Sequence, residues 1–194
     1  MEFLLLATDK WHEDDVKPNL VVPFANDASD PVALEAMRRN LEMQGLTPRY
    51  EHLDGDYAYD RLFRRLWAEG EPFILVEHDI LPWPGAVQQL WTCERPWCAF
   101  EYFMLGELRV ALGCTKFDPS RLGPCPLPDT SWHWRKMDWQ VIDALTDRSQ
   151  CAHLHEPAVT HLNRAHSRMT SPSLLRSKPL SWDVDDIYFN REMA

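Results

Sequence analysis

Phe73-Ile74-Leu75-Val76-Glu77-His78-Asp79 runs from four apolar residues straight into two carboxylates that flank a histidine. The apolar part is the most strand-like run in the chain. It is short and uninterrupted, as in a strand buried on both faces. Pro82 and Pro84 then predict an exit loop, and Ala86–Cys93 a short helix. Two β-α units precede this strand. Asn19-Leu20-Val21-Val22-Pro23-Phe24 is an apolar run closed by a proline and an aromatic. The loop Asn26-Asp27-Ala28-Ser29-Asp30-Pro31 offers an N-cap and a first-turn proline to a helix over Val32–Gln44. Ala33, Ala36, Met37 and Leu41 share one face of that helix, and Gly45 stops it. Arg49–Leu53 reads as a second strand ended by Asp54-Gly55-Asp56. Tyr59, Leu62, Phe63, Leu66 and Trp67 then recur at helical spacing before Gly70. The first half is therefore βαβαβ, which implies a parallel sheet with right-handed crossovers.

Downstream, Trp97–Leu112 predicts a pair of strands around Leu105-Gly106-Glu107, and the proline-rich stretch from Gly113 to Asp129 predicts a loop. Met137–Leu145 carries helical periodicity, and His153–His161 a last strand-like element. The expected organisation is an N-terminal extension over 1–18, one folded domain over 19–165 and a Ser/Pro/Arg-rich tail over 166–194.

Composition narrows the class. A chain of 194 residues with 45% hydrophobic content can bury a proper core. No apolar run approaches the roughly 20 residues of a membrane span. Phe3–Ala7 is apolar for five residues only and follows Glu2, unlike a signal peptide. The net charge of −10 is spread along the chain, against a main role in gripping nucleic-acid backbone, which needs clustered Lys and Arg. The five cysteines are odd in number and contain no CxxC pair. That disfavours a disulfide framework or a structural zinc site and fits a reducing cytoplasm. Nine tryptophans suit sugar or base pockets as well as the core.

In an open α/β sheet, ligands bind beyond the carboxyl ends of the strands. Three polar clusters fall there: Asn26/Asp27 with Asp30, Asp54/Asp56, and Glu77/Asp79. Carboxylates at the mouth of an apolar strand are costly to desolvate without a positive partner, and a divalent metal on a diphosphate would be one. The bland alternative has Asp79 capping the following loop and Glu77 meeting a Lys or Arg.

The string Val76-Glu77-His78-Asp79-Ile80-Leu81-Pro82-Trp83-Pro84-Gly85, set after two β-α units, resembles the GT-A glycosyltransferase fold. It is most similar to short family-2-like proteins, including small phage-encoded ones, over about residues 19–163. The resemblance implies a GT-A-like (Rossmann-like), mostly parallel central sheet flanked by helices. It also implies a cytoplasmic enzyme, in the host cytoplasm if phage-encoded, that moves a sugar from a nucleotide-sugar donor to an acceptor hydroxyl. Glu77-His78-Asp79 stands where the family carries Asp-X-Asp, departing from it by the leading Glu. Asp79 then takes the role of ligand to Mn²⁺ or Mg²⁺, with Glu77 and His78 beside the donor. His161, or failing it His155, becomes a further metal ligand; alternatively His153, His155 and His161 are plain strand residues. Asp138 takes the place of the carboxylate base, with Asp143 as second choice and Trp139 against a sugar; Asp138 as a simple N-cap is the alternative. Pro23, Phe24 and Asn26 would meet the nucleobase, Asp54 or Asp56 the ribose or the ring nitrogens, and Tyr59 would stack or pack in the core. Gly113-Cys114-Thr115-Lys116-Phe117 resembles the acceptor-side segment, with Lys116 able to meet phosphate.

The rivals are a nucleotidyltransferase-like enzyme, a noncatalytic binding protein on the same fold and, more weakly, a zinc hydrolase. Seven glycines with no P-loop or GxGxxG argue against phosphate held by backbone amides, and no HExxH is present. Sugar and acceptor (a protein, a glycan or a modified nucleic-acid base) are not specified by any of these residues.

Overall fold

The computed structural model describes residues 18–25, 31–104, 107–128, 133 and 136–162. Six strands form the central sheet: β1 (Asn19–Phe24), β2 (Arg49–His52), β3 (Phe73–Val76), β5 (Trp97–Phe100), β8 (Cys114–Phe117) and β9 (His153–His155). Their spatial order is β2-β1-β3-β8-β5-β9. β1 pairs in parallel with both β2 and β3, and β5 in parallel with β9. β8 alone runs the other way, antiparallel to β3 and to β5. The expected α/β domain with a mostly parallel central sheet flanked by helices is the observed architecture.

Strand alternation divides the core in two. Leu20, Val22, Ile74, Val76, Cys98 and Phe100 face α1 (Pro31–Met43) and α3 (Ala86–Thr92), meeting Met37, Leu41, Val87 and Leu90. Val21, Phe73, Leu75, Trp97 and Phe117 face α2 (Ala58–Glu69) and α5 (Met137–Asp147). Pro31 opens α1, and Gly70 closes α2 in the left-handed region at φ 76°.

The stretch after Gly113 is not the loop that its prolines suggest. Its first residues form β8, and α4 (Pro119–Leu122) follows. Phe117 explains why β8 lies between β3 and β5. Its ring sits 5.4 Å from Phe63, 5.9 Å from Trp67 and 5.5 Å from Phe73, and stacks on Trp97 at 5.7 Å. Such aromatic pairs add about 0.5–1.5 kcal/mol each beyond area burial. All four prolines of the stretch, Pro119, Pro124, Pro126 and Pro128, follow β8 and lie outside the pairing, so the pattern of turn residues masks a four-residue central strand.

Two short ribbons complete the fold. β6 (Tyr102–Met104) and β7 (Glu107–Arg109) form the hairpin expected around Leu105-Gly106. The predicted exit loop is instead β4 (Ile80–Pro82), which pairs antiparallel with β10 (Val159–His161). The single strand expected over His153–His161 is thus two strands in two sheets. Among the described residues, no helix is long and apolar enough to cross a membrane.

Candidate functional site

β1 connects to β2 on one side and β3 lies on the other, so the order of the sheet reverses between β1 and β3. A crevice opens at such a switch point, beyond the carboxyl ends of the strands. Glu77-His78-Asp79 occupies it.

The backbone fixes these residues tightly. Glu77 N–H donates to the Gly113 carbonyl at 2.9 Å, continuing the β3–β8 ladder by one residue. Ile80 N–H then donates to the Glu77 carbonyl at 3.0 Å, turning the chain into β4. Leu162 N–H donates to the Asp79 carbonyl at 2.7 Å, at the end of the β4–β10 pairing that sets His161 opposite Ile80. That register brings His161 Nε2 to 3.1 Å from Asp79 Oδ2. Both side chains are largely covered, at 10% and 21% relative exposure, so the contact is well shielded from water.

Glu77 lies beneath this pair, its Oε1 accepting the Tyr59 hydroxyl at 3.0 Å. Tyr59 is a core residue of α2 and a site residue at once. A third carboxylate arrives from α5. Asp138 Oδ1 accepts the Leu112 N–H at 3.3 Å instead of capping its own helix, whose N-cap position is Lys136.

The electrostatics of the three acids differ. Burial, then the charges of Asp138 and Asp79, push the Glu77 carboxyl well above the ordinary range despite the Tyr59 hydrogen bond. Burial and the Asp79 charge outweigh the Leu112 N–H and raise Asp138 to about 6. Burial would raise Asp79 as well, but the hydrogen bond and charge of His161, followed by His78, win and hold it low. Among the described residues, no lysine or arginine figures among the groups that set these three carboxyls. The alternative in which Glu77 meets a Lys or Arg is therefore not the arrangement seen.

Tyr102 closes one wall. Its ring lies 5.4 Å from that of His161, and a Cβ on Gly113 would fall 2.5 Å from its hydroxyl oxygen, closer than real Cβ contacts come. Only glycine at 113 lets the tyrosine approach β8. Neither Tyr102 nor the Leu112 amide was signalled by the sequence, where both sit in an apolar stretch without a polar motif.

The remaining expected residues disperse. Asp143 is exposed on α5, and Trp139 is 48% exposed. His155 is on β9, at the far edge of the sheet from β1 and β2, with Cys93 and Cys98 for neighbours. Lys116 does not face an open phosphate site. It is buried, and its Nζ donates to the carbonyls of Trp91 and Cys93. Pro23 and Phe24 end β1, where the Phe24 ring meets His52 edge-on at 5.3 Å. Asp54 and Asp56 are exposed in the turn before α2, Asp56 Oδ1 lying 3.6 Å from His133 Nε2, and His78 is half-buried. Asn26 lies outside the described residues.

Fold and site together define a mixed α/β protein with an acidic crevice at the switch point of its sheet. The sequence matches no protein-family model and no curated protein. Among solved structures, the fold is broadly similar to that of A197 from STIV, with 6% identity and a TM-score of 0.49 over 73% of this chain and 83% of that one. It is also similar to that of a glycosyltransferase involved in the glycosylation of the major capsid of PBCV-1. There the identity is 9% and the TM-score 0.46, over 78% of this chain and 97% of that one.

Proposed function

We propose that the chain is a metal-dependent glycosyltransferase that moves a sugar from a nucleotide-sugar donor to an acceptor hydroxyl. The observation that carries this reading is the half-buried trio Glu77, Asp79 and Asp138, set beside histidine and not beside lysine or arginine. Three carboxylates held this way favour a divalent cation. Asp79 and His161, whose donor atoms already converge, are the residues that would hold Mn²⁺ or Mg²⁺, with phosphate oxygens and water completing the shell. When bound, the cation supplies Lewis-acid neutralisation of the charge that grows on a departing nucleoside diphosphate.

The protein's own groups do the rest. Tyr59 fixes the rotamer of Glu77 toward the crevice, in position to accept a hydroxyl of the donor. Asp138 is anchored by one oxygen to the Leu112 amide, which leaves Oδ2 for the acceptor proton. With its pKa near 6 it is mostly ionised at pH 7 yet close enough to that pH to act as a general base. Pro23 and Phe24 end β1, on the side where a nucleobase would lie.

The test is a thermal-shift screen of nucleotide sugars with and without Mn²⁺, with Asp79→Ala and the exposed-site control Asp143→Ala alongside. A stabilisation that requires both metal and nucleotide sugar, survives Asp143→Ala and vanishes in Asp79→Ala supports the reading. A shift independent of metal, or intact in Asp79→Ala, sinks it. Product analysis separates the rivals, because sugar transfer releases a nucleoside diphosphate and nucleotidyl transfer releases pyrophosphate.

A further inference from the structure

We propose that Cys93, Cys98 and His155 form a second metal site, separate from the acidic crevice and built for a thiophilic divalent cation of the zinc class. Cys93 ends α3, Cys98 lies on β5, and His155 closes β9, which pairs in parallel with β5. One donor atom from each of the three lies within 4.8 Å of the other two. Around a tetrahedral zinc with Zn–S of about 2.3 Å and Zn–N of about 2.0–2.1 Å, neighbouring donors stand roughly 3.5–3.8 Å apart. A contraction of about 1 Å therefore completes a Cys₂His set.

One further feature points to a missing cation. His155 Nε2 is buried and has no hydrogen-bond partner, while Nδ1 of the same ring meets the Gln89 side-chain amide at 3.2 Å. With the amide turned so that its oxygen accepts from Nδ1–H, Gln89 fixes the tautomer that offers Nε2 to a metal, the usual role of a group behind a ligating histidine.

At the edge of the cluster, the exposed His153 ring stands at right angles to that of His155, with centroids 4.8 Å apart. A cation there would tie the end of α3 and the three-residue edge strand β9 to β5. The sequence disfavoured structural zinc because no CxxC occurs. The x₄ spacing of Cys93 and Cys98 is closed by the α3–β5 turn, and the third ligand comes from more than fifty residues on.

The test is cobalt titration of the full chain, reduced and under anaerobic conditions, with Co²⁺ read by its thiolate charge-transfer and tetrahedral d–d bands. One equivalent is expected to bind, to be displaced by Zn²⁺ and not by Mn²⁺, and to raise the melting temperature. Cys98→Ser and His155→Ala are each expected to lose at least tenfold in affinity. Cys151→Ser, exposed and outside the cluster, keeps the bands. Asp79→Ala also keeps them, which separates this site from the proposed catalytic one. Should Cys98→Ser fail to fold, the half-buried Cys93→Ser and His155→Ala carry the test. Absent charge-transfer bands overturn the proposal. So do bands that survive His155→Ala unchanged, or a Cys93–Cys98 disulfide that forms on oxidation in a chain that never takes up metal.

Discussion

Replacing Asp138 by asparagine should make the metal-free protein more stable at pH 8 and no more stable at pH 4. Burial, together with the Asp79 charge, raises the Asp138 carboxyl from 3.8 to about 6. Between those values the folded chain keeps a proton that the unfolded chain has released. Protons bound in the folded state then exceed those in the unfolded state, so stability falls as pH rises through this window. Above pH 6 the whole penalty is present. Roughly two pH units at about 1.4 kcal/mol each give about 3 kcal/mol. Asp138→Asn removes the charge while its amide oxygen can still accept the Leu112 N–H, so the packing cost is small. Losing this charge also relieves Glu77, whose carboxyl is pushed up partly by Asp138. The expected gain is about 1–3 kcal/mol at pH 8 by urea denaturation in EDTA, fading to nothing at pH 4. A domain of this size shifts its melting temperature by about 2–4 °C per kcal/mol. In the same variant, glycosyl transfer should be lost. A gain below about 0.5 kcal/mol at pH 8, or an equal gain at pH 4, would refute the claim that this carboxylate is held ionised at a cost in stability.

Gly113→Ala places a methyl 2.5 Å from the Tyr102 hydroxyl and 2.8 Å from its ring carbon, and should destabilise the fold by about 1–3 kcal/mol in urea. Adding Tyr102→Phe should recover only part of that, because the ring carbons remain in the way; full recovery would mean that the hydroxyl alone sets the spacing. Tyr59→Phe removes the donor to Glu77 and should cost about 1–3 kcal/mol, the penalty for leaving an enclosed polar atom without its partner. In a Glu77→Ala background, which removes the acceptor, the cost should shrink, and strictly additive losses in the double-mutant cycle would show that the contact contributes nothing.

The first half of the fold was legible because local signals there are redundant. Pro31 starts a helix, Gly70 stops one, and FILV cannot be placed anywhere but in a buried strand. The second half was not, because its strands are three or four residues long and obtain their structure from partners far along the chain. Cys114–Phe117 reads as part of a proline-rich loop, and only Trp97, Phe63 and Phe73 closing on Phe117 make it a central strand. The site divides the same way. Glu77 and Asp79 follow from the end of one strand, and the apolar stretch before His161 favours it over His155, but its contact with Asp79 depends on β4 and β10 pairing, which no local pattern reports. Lys116 looked like an exposed cation and is enclosed, since alternation on β8 turns it to the same face as Cys98.

The reversed strand is what makes a site out of these distant pieces. In an all-parallel sheet the neighbour of β3 would present its own carboxyl end beside Glu77. Here β8 runs the other way, so Val76 pairs with Cys114 and the chain entering β8 passes the crevice. Gly113 thereby takes the Glu77 amide, Leu112 offers its own amide to Asp138, and the missing side chain at 113 makes room for Tyr102. Three consecutive functions, two of them carried by backbone, thus come from residues with no catalytic chemistry of their own. Sequence reading weighs side chains, and so it found the acids; what orders them is a strand direction, which only long-range pairing decides.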